Sequence, residues 1–110
     1  MTGPPREVVE EELRRMLCPS DAPIGSHGRS ARIRRLPGDL FAARDLFNDL
    51  VSLGQSDNVA TYPGDRVKIS HGLGYVGIRN VAHSGEPTID VDVKISGVDR
   101  IKKIKFIGWS

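Results

Sequence analysis

One stretch of the chain, Arg79-Asn80-Val81-Ala82-His83-Ser84-Gly85-Glu86-Pro87-Thr88-Ile89-Asp90-Val91-Asp92-Val93, brings an arginine, a histidine, a serine and a threonine close together. These are the side chains that metal-independent RNA cleavage requires. The nucleophile there is the substrate's own 2′-hydroxyl. A protein must help remove its proton, neutralise charge on the phosphorane and protonate the leaving 5′-oxygen. An imidazole titrates near neutral pH without tuning, so His83 or His71 is the candidate general base or acid. Arg79 offers a fork of donors to the phosphorane, while Ser84 and Thr88 can hydrogen-bond phosphate oxygens.

Each residue also has a plainer role. His71 shares the parity of Val67 and Ile69, which turns it inward if the strand runs that far. Ser84 can cap the turn before Gly85, and strand propensity accounts for Thr88. Arg79 can pair with Asp90 across neighbouring strands as a structural ion pair.

The elements around this stretch can be read from residue spacing. Residues 6–18 (REVVEEELRRMLC) place Val9, Leu13, Met16 and Leu17 on one helical face, acidic at the start and basic at the end, with Pro19 as a stop. Residues 40–53 form a second helix, with Asp39 as N-cap, Gly54 as C-terminal cap and Leu40, Ala43, Phe47, Leu50 and Val51 on its apolar stripe. Phe41 and Phe47 are both assigned to the core. Between the helices, residues 19–38 are rich in Pro, Gly and Ser and read as a solvated linker pinned by Ile33 and Leu36. Its basic side chains, His27, Arg29, Arg32, Arg34 and Arg35, give it a second reading as an arm on a phosphate backbone.

From Gln55 to Asp65 the text is turn-like, and then the period switches to two. Strands are expected over 66–70, 75–79, 88–95 and 101–107, the last with a slip of register near Lys102-Lys103. The predicted fold is α+β, with two N-terminal helices packed on one face of a four-stranded antiparallel sheet. Val67, Ile69, Val76, Ile78, Ile89, Val91, Val93, Ile104 and Phe106 would face the helices. The other face would carry Arg66, Lys68, Ser70, Tyr75, Arg79, Thr88, Asp90, Asp92, Lys94, Lys103 and Lys105. Arg66, Lys68, Lys94, Lys103 and Lys105 are the candidates for holding an RNA backbone.

With 110 residues, 38% of them hydrophobic and 27% charged, one folding unit is expected: a helix and linker over 1–38 and the helix-plus-sheet part over 39–110. Neither a membrane span nor the apolar core of a signal peptide is present, which predicts a soluble chain. The single cysteine, Cys18, excludes an internal disulfide and a multi-thiolate metal site and reads as a partly buried small hydrophobe. Residues 1–61 carry 8 basic and 9 acidic side chains, and residues 62–110 carry 8 and 5, so the basic surplus lies with the strands. There is no glycine-rich phosphate loop and no metal-ligand cluster, and no cofactor is expected.

The segments Ile78-Arg79, His83-Ser84-Gly85, Pro87-Thr88-Ile89-Asp90-Val91 and Ile101-Lys102-Lys103-Ile104-Lys105-Phe106 resemble the closing half of C-terminal toxin domains from bacterial polymorphic and contact-dependent inhibition systems. Those domains are similar to the superfamily that joins barnase, EndoU, colicin tRNases and RelE-type toxins. The resemblance covers roughly residues 40–110. It implies metal-independent RNA cleavage, with tRNA the favoured substrate, a cognate immunity protein as partner, and delivery into a target-cell cytoplasm as the C-terminal part of a larger effector. Arg79, Ser84 and Thr88 are the pattern positions it carries over. The competing reading is a non-catalytic RNA- or protein-binding module, such as an immunity or antitoxin subunit. Only Tyr75 would supply a ring on the open face, which argues against a stacking platform for single strands. The basic face argues against an RNA-mimicking partner of a nuclease.

Overall fold

The computed structural model describes residues 4–19, 22–28, 32–57, 60–62, 64–79 and 87–108. Two stretches of helical spacing form the helices. α1 (Arg6–Leu17) follows Pro5, whose carbonyl accepts from the amides of Val8 and Val9, and it buries Val9, Leu13 and Leu17. α2 (Leu40–Val51) starts where the Asp39 carboxylate accepts from the Ala42 amide at 3.1 Å, and it buries Ala43, Phe47 and Leu50. Cys18 is half-buried against the same core.

Two expectations for α2 fail. Phe41 is 79% exposed and Leu40 is 45% exposed, rather than core. At 3.6 residues per turn, Phe41 sits about 200° around the helix from Ala43, on the far side from the buried stripe. The helix also ends at Ser52 rather than at a glycine cap. Gly54 instead opens a strand, where a Cβ would lie 2.1 Å from the Lys68 carbonyl oxygen. Close backbone approach, not capping, requires glycine there.

The strands are β1 (Ser26–His27), β2 (Ile33–Leu36), β3 (Gly54–Ser56), β4 (Gly64–Ile69), β5 (Gly74–Arg79), β6 (Thr88–Val93) and β7 (Lys103–Phe106), in the sheet order β1-β2-β7-β6-β5-β4-β3. The fold is α+β, with two helices on a mixed sheet. β4 to β7 form the antiparallel meander expected from the alternation. The sheet is nevertheless wider than four strands and is not wholly antiparallel. β3 extends it beside β4, while β2 lies parallel to β7 with Ile33 opposite Lys103 and Leu36 opposite Phe106. The stretch read as a linker therefore supplies two strands.

β2 (IRRL) escaped the alternation rule because an arginine fills an inward position. Arg34 shares the parity of Leu36 and is half-buried; its guanidinium donates to the carbonyls of Ile24 at 2.9 Å and Gly25 at 3.0 Å. Satisfying those acceptors lets a charged side chain stand where an apolar one is expected.

The inner face matches its expected composition. Val67, Ile69, Val76, Ile78, Ile89, Val91, Val93, Ile104 and Phe106 are all buried. α2 covers this face, while α1 lies against two 3-10 turns, Ser70–Gly72 and Val98–Arg100, at one end of the sheet. The slip expected near Lys102-Lys103 does not occur: β7 begins at Lys103 rather than at Ile101, and its register against β6 runs unbroken from Thr88–Lys105 to Asp90–Lys103, with the Val91 amide donating to the Lys102 carbonyl one step further on.

Leu50→Ala should lower stability by about 2–5 kcal/mol, because it empties a fully buried site. Phe41→Ala should stay within about 0.5 kcal/mol of the parent. Urea unfolding of the two variants measures both.

Candidate functional site

The outer face of the meander is where chemistry-bearing side chains collect, and strand register decides which of them meet. Arg35 on β2 lies opposite Lys105 on β7, and Lys105 lies opposite Thr88 on β6. One step beyond the Ile78–Ile89 pair, Arg79 of β5 faces Thr88. Arg35, Lys105, Thr88 and Arg79 thus form one row over four adjacent strands, roughly 14 Å across at about 4.8 Å per strand. The row stands at the end of the sheet where β5 ends and β6 begins.

Beside this row sits a second cluster. Asp90 lies opposite Gly77 on one side and Lys103 on the other. Arg79 reaches Asp90 diagonally, with Nε donating to Oδ2 at 2.6 Å and Nη2 to Oδ1 at 3.4 Å. The Tyr62 hydroxyl donates to the same Oδ2 at 2.9 Å. The carboxylate holds the Arg79 guanidinium even more firmly protonated than usual, mainly through the hydrogen bond. Burial, reinforced by the bond to Asp90, pushes the Tyr62 phenol well above the ordinary tyrosine range.

Tyr62 was not anticipated, because it falls in turn-like text. A signal for it exists in Gly77, a glycine inside an otherwise alternating strand, which marks close approach by another group. A Cβ at Gly77 would lie 2.5 Å from the Tyr62 ring. The ring roofs this part of the face, so the face is not uniformly open.

The expected residues divide accordingly. Arg79, Thr88 and Lys105 come together, with Lys103 beside Asp90. Thr88 is 2% exposed, so it is the one covered member of the row. Arg79 does make the cross-strand ion pair with Asp90. His83 and Ser84 lie outside the described residues.

His71 is not brought to this site. The backbone leaves the strand at Ser70, and His71 takes a left-handed conformation (φ 64°, ψ 22°), with an exposed ring instead of an inward one. Its Nε2 lies 2.8 Å from the Pro4 carbonyl, which can only accept, so Nε2 carries the proton. Five residue steps of β5 separate that turn from Arg79, roughly 17 Å at about 3.3 Å per residue.

Of the remaining basic candidates, Lys68 and Lys94 are exposed toward the His71 end. Arg66 is half-buried there, with Nη2 donating to Asp57 Oδ2 at 2.7 Å. A cleft of about 560 Å³, bordered by Arg32, Arg34, Asp99 and Arg100, lies at the far end of the sheet from Arg79. Among the described residues no three His, Cys, Asp or Glu side chains converge as a metal site, and no helix is long and apolar enough to cross a membrane.

Tyr62 gives the cluster a pH signature. A phenol whose folded pKa is raised contributes stability that is intact below the ordinary value of about 10 and is lost as pH rises beyond it. Denaturant unfolding should therefore show stability falling above about pH 10, and Tyr62→Phe should remove that part of the slope. Gly77→Ala, which displaces the ring, should do the same and destabilise by about 1 kcal/mol at neutral pH through the lost hydrogen bond.

The chain matches no protein-family model, no curated protein and no solved structure.

Proposed function

We propose that this chain is a metal-independent endoribonuclease, of the toxin type that its sequence resembles, with its active end at Arg79. The carrying observation is the row of Arg35, Lys105, Thr88 and Arg79 at the sheet end where β5 stops and β6 starts, the two strands between which His83 and Ser84 fall in the sequence. Cations on three of four neighbouring strands suit a polyanion laid across them and put charge where a phosphorane would need it.

In this reading Asp90 positions Arg79. It takes donors from the Nε and Nη2 side, and the rest of the five-donor fork is directed to a phosphate. Lys105 and Arg35 carry the flanking backbone, and buried Thr88 stands beside Arg79. His83 takes the 2′-hydroxyl proton or returns one to the 5′-oxygen, leaving a 2′,3′-cyclic phosphate. Transfer RNA as substrate, a cognate immunity protein and delivery from a larger effector follow from the resemblance and belong to the same proposal.

Purified protein incubated with total bacterial RNA in EDTA should yield discrete fragments ending in 2′,3′-cyclic phosphate. His83→Ala and Arg79→Ala should each slow cleavage by about 10²-fold or more while remaining folded. Arg79→Lys keeps the charge but not the fork, and should rescue only weakly. Intact RNA with well-folded parent protein would sink the proposal and put the non-catalytic binding module in its place.

A further inference from the structure

Tyr75 is the one aromatic ring that the strands place on the outer face, and its surroundings form a built pocket. Arg66 lies with its guanidinium carbon 4.4 Å from the ring centroid. That guanidinium is anchored by Asp57 at 2.7 Å, and the Asp57 amide in turn donates to the Arg66 carbonyl at 2.8 Å. The stack is thus fixed before anything binds. Tyr75 itself is only half-buried, so part of the ring meets solvent.

The pocket beside this pair has a volume of about 240 Å³ and is bordered by Asp57, Arg66, Lys68, Gly72, Gly74 and Tyr75. Two of its walls are glycines, and a Cβ at Gly72 would meet nothing within 4 Å, so the rim there is open to entry. Lys68 stands directly across from Tyr75 in the β4–β5 register and is exposed.

We propose that the Tyr75–Arg66 stack seats one unpaired nucleobase of a bound RNA, with Lys68 holding the adjoining phosphate. The chemistry is that of single-strand recognition: a flat aromatic or guanidinium surface for the base and a mobile cation for the backbone. One ring makes a single-base subsite rather than a platform for a strand, which reconciles the face with its poverty in aromatics. The inference rests on the nuclease reading for its ligand and adds a substrate class to it. Tyr75 and Arg79 share a face of β5 four residues apart, roughly 13 Å at about 3.3 Å per residue. The base seated at Tyr75 therefore lies away from the phosphate at Arg79, along the strand. The substrate must be unpaired there, as in a loop or a single-stranded end, because a base held in a helix cannot reach the stack.

The test is binding of a fluorescein-labelled single-stranded 2′-O-methyl oligoribonucleotide, which cannot be cleaved, followed by fluorescence anisotropy in EDTA. Tyr75→Ala should weaken binding by about 5- to 100-fold, and Tyr75→Phe should restore it. Lys68→Ala should lower the slope of log affinity against log salt by about 0.7, the share of one phosphate on a single strand. Annealing the probe to its complement should abolish the difference between parent and Tyr75→Ala.

Equal affinity of the parent and a folded Tyr75→Ala, or no binding by the parent, overturns the seat. Should Tyr75→Ala fail to fold, an unchanged salt slope in Lys68→Ala overturns it instead. Ring-dependent binding by a parent that leaves total RNA intact supports the seat and removes the nuclease reading, so the two can fail separately.

Discussion

A strand can bury only every second residue, and that constraint governs this molecule. Once β4 to β7 commit their aliphatic positions to α2, every intervening residue is forced to the other side, whatever its charge. The outer face is therefore a by-product of core formation. The same register that packs Ile78 against Ile89 also brings Arg79 beside Thr88 and Lys105. A one-residue slip of β6 would bury Asp90 and Asp92 and break up the outer cluster at once.

Within that face, Asp90 sets the local order. A carboxylate between Gly77 and Lys103 could meet several cations, yet it accepts from Arg79 and Tyr62. Without the phenol, the ring would have no polar anchor over Gly77. Without the carboxylate, Arg79 would be a flexible cation at a strand end. Holding a guanidinium by one edge limits the directions from which an anion can meet it, which turns a surface charge into an oriented donor set.

How much of this was legible follows from how each element announces itself. The helices and the meander did so by period, because α1, α2 and β4 to β7 repeat apolar residues at 3.6 or 2. β2 did not, since Arg34 holds an inward position through contacts with the carbonyls of Ile24 and Gly25, which a linear pattern cannot reveal. β1 and β3, of two and three residues, are too short to show a period. Phe41 misled through composition, being large and apolar while lying off the buried stripe. Residue type singled out Arg79 and Thr88, and the register does bring them side by side, but the burial of Thr88 is a tertiary property that residue type does not carry. Tyr62 had left its trace at Gly77. His71 was misplaced because parity was carried two residues past the end of the strand at Ile69, into a left-handed turn.

The parallel pairing of β2 with β7 joins Ile33 to Lys103, positions 70 residues apart in the chain. During synthesis, β2 emerges long before its partner exists, and β7 must then enter between β2 and β6 to join the two parts of the sheet. Until it does, β2 and β6 both present unpaired hydrogen-bonding edges. Closing a loop of that size is slow compared with forming the local hairpins of the meander. The last of the seven described strands is thus the one that removes two sticky edges. A chain released without β7 would keep the residues of both helices and of the β3–β6 hairpins, while β2 and β6 would still invite association with other chains.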